Sequence, residues 1–133
     1  ATVADGGSNI IVLRYADVLL MLAECYAEKD NVSKSNEYLN LIKKRAGIEE
    51  VSIGDATLIK EEIALERCKE LVNEGHRWFD LIRTGKAVEV MNAYFTRTPG
   101  YTGITISELN YVQPIPQGQI DTDSATKQNE GYN

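Results

Sequence analysis

Glu66, Glu70 and Glu74 recur at four-residue steps and Asp80 follows them, so a helix through this stretch would carry four carboxylates. Carboxylates gathered in this way can hold a divalent metal, or divide into a general acid and a general base. Two features oppose both uses. Arg67 and Arg77 are interleaved with the acids, and a neighbouring guanidinium stabilises the ionised carboxylate, the reverse of the raised pKa an acid catalyst needs. Metal sites on bundle helices pair glutamate with histidine three residues on, and the single histidine, His76, has Asn73 at that place. Arg67, Glu70, Glu74, Arg77, Asp80 and Arg83 also follow one another at steps of three or four with mixed signs. That is the spacing of an ion-pair ladder, in which each exposed pair contributes about 0.2–0.5 kcal/mol. The set is read as structural.

Other chemistries lack their residues. His76 has no Gly-x-Ser-x-Gly nucleophile or activated cysteine to serve, and neither Gly-x-x-x-x-Gly-Lys nor Gly-x-Gly-x-x-Gly occurs as a phosphate loop. Cys25 and Cys68 stand among apolar neighbours in helical segments, which favours buried free thiols. A disulfide would need close Cα atoms and an oxidising compartment, and zinc would need more ligands than one histidine adds. No catalytic residue, no metal ligand and no cofactor is expected, so the chain is not read as an enzyme. Tyr94, Phe95, Tyr101 and Tyr111 bracket a Thr- and Gly-rich loop, and rings standing out of a loop can stack on pyranose faces. For Phe95 and Tyr111 packing against the helical core is the preferred reading. For Tyr101, within Pro99-Gly100-Tyr101-Thr102-Gly103, both readings stay open, and Tyr101 and Tyr94 are the candidate ligand-binding residues.

The elements that must position these side chains are mostly helices. With 133 residues, 43% hydrophobic and 26% charged, the chain can build one compact core. Its net charge of −6 argues against nucleic acid as a partner, and its longest apolar run, from Val18 to Ala23, is far short of the about 20 residues that cross a membrane. Residues 10–13 suit a strand or an extended lead-in. A helix is expected over 15–28, with Val18, Leu22 and Cys25 on one apolar stripe and Leu19, Ala23 and Tyr26 on the next, so that most of its surface must be covered. Ser33 is the expected N-cap of a second helix, marked by Tyr38, Leu39, Leu41, Ile42 and Ala46 and ended by Gly47. The pair fits a tetratricopeptide unit, small Ala23 and Ser35 letting the two helices approach. One such unit cannot close a core and needs neighbours.

Residues 49–57 read as a loop with Gly54 and Asp55 in a turn. A long helix is expected from about Leu58 to Ile82, its stripe being Ala64, Cys68, Leu71, Gly75, Trp78 and Ile82, with Gly75 a close-packing or bending point. A short helix over 86–95 follows. Beyond it, residues 96–110 form a loop, 111–116 are extended before the prolines, and 117–133 are polar and irregular. The fold class expected is mainly α: tetratricopeptide-like helical repeats packed with a long helix, plus an irregular C-terminal tail with little strand. The chain reads as a single helical domain, 1–133, with a disordered lead over 1–9, a helical-repeat region over 10–95 and a loop and extended tail over 96–133.

Three ordered blocks carry a family resemblance. Arg14-Tyr15-Ala16-Asp17-Val18-Leu19-Leu20-Met21-Leu22-Ala23-Glu24 resembles the opening of a tetratricopeptide-like unit in SusD/RagB proteins. Glu66-Arg67 through Glu74-Gly75-His76-Arg77-Trp78-Phe79-Asp80-Leu81, with Arg83 and Gly85, resembles that family's signature helix, and Pro114-Ile115-Pro116, Ile120-Asp121, Gln128-Asn129 and Gly131-Tyr132 resemble its tail. Cys68 departs from a position where a basic residue is common, and Glu130 from the usual proline. The resemblance implies the C-terminal part of a longer, non-catalytic outer-membrane lipoprotein of Bacteroidetes type. Such proteins capture glycans or other nutrients at the cell surface and work with a SusC-like TonB-dependent transporter. On this reading the oligosaccharide is bound through the full-length protein, and the lipid anchor that holds it at the membrane is missing from this chain. The family's sugar contacts lie on variable loops without a shared motif, so none transfers residue by residue. The alternative is a free-standing tetratricopeptide-like module that binds a protein partner; the Pro-Ile-Pro segment and the Gln-Asn-x-Gly-Tyr ending favour the first reading.

Overall fold

The structure, a computed structural model, describes residues 12–132. The disordered lead expected over 1–9, and most of the strand or extended segment expected over 10–13, lie outside the described residues. Contacts divide the chain into two compact units, residues 1–77 and 78–133.

The first unit is built on three helices, α1 (Tyr15–Glu28), α2 (Val32–Arg45) and α3 (Ala56–Glu70). Asp30, with φ of 55°, turns the chain between α1 and α2. Asn31, rather than Ser33, caps α2, its side chain accepting from the Lys34 N–H at 3.2 Å. The carboxamide reaches one of the orphan amides a helix start leaves open. Leu19, Leu20, Ala23 and Ala27 of α1, Leu39 and Ile42 of α2, and Ile59 and Ile63 of α3 form the core. Ala23 and Ser35 are fully buried, and the Ser35 hydroxyl donates to the Ala23 carbonyl at 2.8 Å. The small pair thus allows the close approach that a tetratricopeptide unit requires. The wide apolar arc expected on α1 is not all covered: the face that enters the core is Ala16, Leu19, Leu20, Ala23 and Ala27, while Leu22 is 36% exposed and Cys25 is exposed.

Gly47, with φ of 70°, ends α2 as the sequence indicates. The following loop is fixed by two asparagines one helical turn apart. Asn36 donates to the Ile53 carbonyl at 2.8 Å and accepts from the Ile53 N–H at 3.0 Å, and Asn40 does the same with Val51 at 2.8 and 2.9 Å. Each carboxamide replaces the partner strand that this extended backbone lacks, and Val51 and Ile53 are thereby held against the core. Asp55 caps α3, accepting from the N–H groups of Thr57 and Leu58, so the helix begins at Ala56 rather than Leu58.

The long helix expected to Ile82 ends at Glu70. Residues 71–75 are turns, with Asn73 at φ 65° and Gly75 at φ 81°, and a separate helix, α4 (Arg77–Arg83), follows. Gly75 is therefore a left-handed turn residue, not a bend inside a helix; glycine takes that conformation without the clash a side chain would cause.

In the second unit Gly85 (φ 69°) leads into α5 (Ala87–Arg97). A short 3-10 helix spans Glu108–Tyr111, and α6 (Gln117–Thr122) occupies part of the stretch expected to be irregular. Pro116 starts α6 because its fixed φ suits a helix N-terminus. Extended pieces here again pair with side-chain amides. Asn92 bonds both backbone groups of Ile106, at 2.8 and 3.0 Å, and Gln128 both of Ile115, at 2.8 and 2.9 Å. The fold is mainly α, with no strand among the described residues, and no helix there is long and apolar enough to cross a membrane.

Candidate functional site

The acidic residues of α3 and the turn after it meet basic partners from neighbouring helices. Arg14, just before α1, reaches Glu70 Oε1 at 2.9 Å, the Glu70 carbonyl at 2.7 Å and both carboxylate oxygens of Glu74 at 2.7–3.0 Å. The carbonyl contact closes the C-terminal end of α3, where a helix leaves its last acceptors unpaired. Arg45 of α2 also meets the Glu70 carboxylate, at 2.5 Å. Hydrogen bonding to Arg14 holds the Glu74 carboxyl below its ordinary value, and those to Glu74 and then Glu70 raise Arg14 above its own.

Deeper in the same unit, Lys43 lies 2.6 Å from Glu62 and 3.3 Å from the buried Glu66. Burial pulls the Lys43 ammonium down, but hydrogen bonds to Glu62 and Glu66 together outweigh it and the net shift is upward. Arg67 and Asp17, both buried, meet at 2.7 Å as an ion pair without hydrogen-bond alignment. The ladder expected along one helix is thus mostly a set of ties between helices. In the second unit, Asp80 pairs with Arg83 one turn on, at 2.9 Å. Carboxylates held by guanidinium and ammonium groups are stabilised as ions, and no group of three or more metal-ligating side chains occurs among the described residues.

Arg14 and Lys43, as partners of these acids, and Asp17, as the partner of Arg67, were not singled out in the sequence. Lys43 had a legible signal: it follows Leu39 and Ile42 on the inward side of α2, where an unpaired ammonium could not stay. Cys25 is exposed and Cys68 half-buried, both free thiols, so the expected burial fails for Cys25. On α1 it lies on the side opposite the core residues.

The second constellation is aromatic. Tyr94 and Phe95 come from the last turns of α5 and Tyr101 from the loop after it, where Gly100 at φ 91° and Gly103 at φ 89° reverse the chain. The three rings meet: Phe95 and Tyr101 stack at 5.7 Å with planes 19° apart, and Tyr94 lies 5.8 Å from Phe95 and 5.9 Å from Tyr101. Tyr94 is 44% and Tyr101 43% exposed, while Phe95 is half-buried between them. The structure brings both candidate ligand-binding residues into one ridge. Tyr111 is elsewhere, edge-on to Trp78 at 6.2 Å.

Residues 2–132 match the SusD family. The chain belongs to that family. SusD-like protein P38 of Formosa agariphila is 39% identical over 93 residues, 63% of this chain and 18% of its own length. SusD-like protein P25 of the same organism is 32% identical over 131 residues, covering 94% of this chain and 24% of its own. A SusD superfamily protein of Bacteroides vulgatus superposes with a TM-score of 0.79 at 30% identity, over 93% of this chain and 28% of that one. A SusD homologue of Bacteroides thetaiotaomicron gives 0.74 at 30% identity, over 95% and 26%. This SusD-family chain therefore spans about a quarter or less of the length of these curated relatives.

Proposed function

We propose that this chain is part of a non-catalytic cell-surface protein that captures a glycan or related nutrient for a SusC-like TonB-dependent transporter. The protein would be held at the outer membrane by a lipid anchor. Membership of the SusD family over residues 2–132 carries the reading. The hydrogen bond from Arg14, which holds the Glu74 carboxyl below its ordinary value, supports a non-catalytic role for that residue, because a carboxylate so held is a poor proton donor at neutral pH. Within this chain the ridge of Tyr94 and Tyr101 is the part suited to a sugar. Exposed rings offer apolar faces to the axial C–H groups of a pyranose, and the Phe95 stack fixes Tyr101 before a ligand arrives.

The test is calorimetric titration of the full-length protein with a panel of oligosaccharides, repeated with Tyr94→Ala and Tyr101→Ala. Each loss of a ring contact is expected to weaken binding severalfold, since one aromatic contact contributes about 0.5–1.5 kcal/mol. Unchanged affinity in both variants removes the ridge from the ligand site. Failure of any oligosaccharide to bind, or of a TonB-dependent transporter to copurify from outer membranes, would count against the function itself.

A further inference from the structure

The extended segment between α2 and α3 is paired along one side only. Asn36 and Asn40 stand one turn apart on α2, about 6 Å along its axis, close to the roughly 6.6 Å between alternate residues of a strand. Their carboxamides therefore take both backbone groups of Val51 and of Ile53, as a neighbouring strand would. Val51 and Ile53 pack on the core while Glu50, Ser52 and Gly54 are exposed, the alternation of an extended chain. In that conformation successive N–H and C=O groups point to opposite sides, so those of Glu50, Ser52 and Gly54 face away from the asparagines. None of them makes a hydrogen bond among the described residues. A Cβ at Gly54 would meet nothing within 4 Å, so a second backbone has room to approach. An exposed row of unpaired donors and acceptors is a template for one more strand.

Charge selects that strand. From Ala46 to Ile59 the chain carries Glu49, Glu50 and Asp55 and no lysine, arginine or histidine. None of the three carboxylates enters an ion pair among the described residues. An added strand bearing lysine or arginine sets opposite charges against them, whereas a second copy of this segment would bring like charges together. We propose that residues 50–54 receive an extended, basic segment of a separate protein as an added strand. Its main chain bonds the open groups of Glu50, Ser52 and Gly54, and its cationic side chains face Glu49, Glu50 and Asp55.

The test follows amide hydrogen exchange at Glu50, Ser52 and Gly54 in the full-length protein, read at single amides by mass spectrometry. The probes are two short synthetic peptides, one alternating lysine with threonine and the other glutamate with threonine. Without peptide the three amides are expected to exchange nearly as fast as in urea; the lysine peptide is expected to slow them at least about tenfold and the glutamate peptide to leave them fast. Ser52→Pro removes one N–H from the open edge and keeps Val51 extended. This variant is expected to melt like the parent and to lose the protection at Glu50 and Gly54, while Ser52→Ala keeps it. No protection by the lysine peptide, or equal protection by both peptides, overturns the proposal. Amides already slow in the free protein overturn it too, assigning the edge to the protein's own polypeptide, or to a second copy if the protection vanishes on dilution.

Discussion

Arg14 shows how far a single residue determines the local structure. It closes the end of α3 through the Glu70 carbonyl, pairs with the Glu70 side chain, and pins Glu74 in the turn beyond. Because Glu74 titrates below its ordinary value of 4.5 through its hydrogen bond to Arg14, the folded state binds a proton there less readily than the unfolded chain. The stability this contributes is present above pH 4.5 and is lost as pH falls through the lower folded value. Lys43 has the opposite sign: raised above 10.5, it contributes stability below that pH, lost as pH rises through its folded value. The expected outcome is a urea midpoint that falls between pH 5 and pH 3 in the parent, and falls less in Arg14→Gln, where Glu74 has lost the partner that depresses it. An identical pH profile in the variant would show that Arg14 and Glu74 are not coupled.

At the scale of elements, the break between α3 and α4 is the feature that the apolar pattern concealed. Leu71, Gly75, Trp78 and Ile82 continue the spacing of Ala64 and Cys68, so periodicity alone runs one helix through them. Backbone geometry decides otherwise, with Asn73 and Gly75 both in the left-handed region and Arg14 sealing the α3 carbonyl end from a residue 56 positions away. A Cβ at Gly75 would meet nothing within 4 Å, so the expected cost of Gly75→Ala is purely conformational, about 1–2 kcal/mol. Denaturant unfolding measures it; a gain in stability would mean that the segment joins α3 and α4 into one helix once alanine is present. The hairpin of α1 and α2 was legible because its constraint is local and steric: Ala23, Ser35 and Gly47 each do what their small size allows. The asparagine clamps were not legible. Asn36, Asn40 and Asn92 look like ordinary surface residues of a helix until the extended segments they bond are placed. The ridge was half legible: Tyr94 and Tyr101 stood out, but that Phe95 joins them by stacking depends on the turn at Gly100.

For the whole molecule, the proportion of the family length present sets the expected binding strength of this chain by itself. It covers 24% of one curated relative and 28% of a solved one. The aromatic ridge offers a ligand two rings, Tyr94 and Tyr101, and Tyr101 already gives one face to Phe95. At about 0.5–1.5 kcal/mol for each aromatic contact, two rings supply roughly 1–3 kcal/mol. A dissociation constant of about 1 mM requires about 4 kcal/mol, after the cost of fixing the ligand has been met. The 133-residue chain is therefore expected to bind oligosaccharides more weakly than about 1 mM, and a full-length protein with the proposed function is expected to bind them more tightly. Parallel titrations of the two by isothermal calorimetry make the comparison. A chain that binds as tightly as the full-length protein would place the nutrient site within these residues, with contacts beyond the two tyrosines.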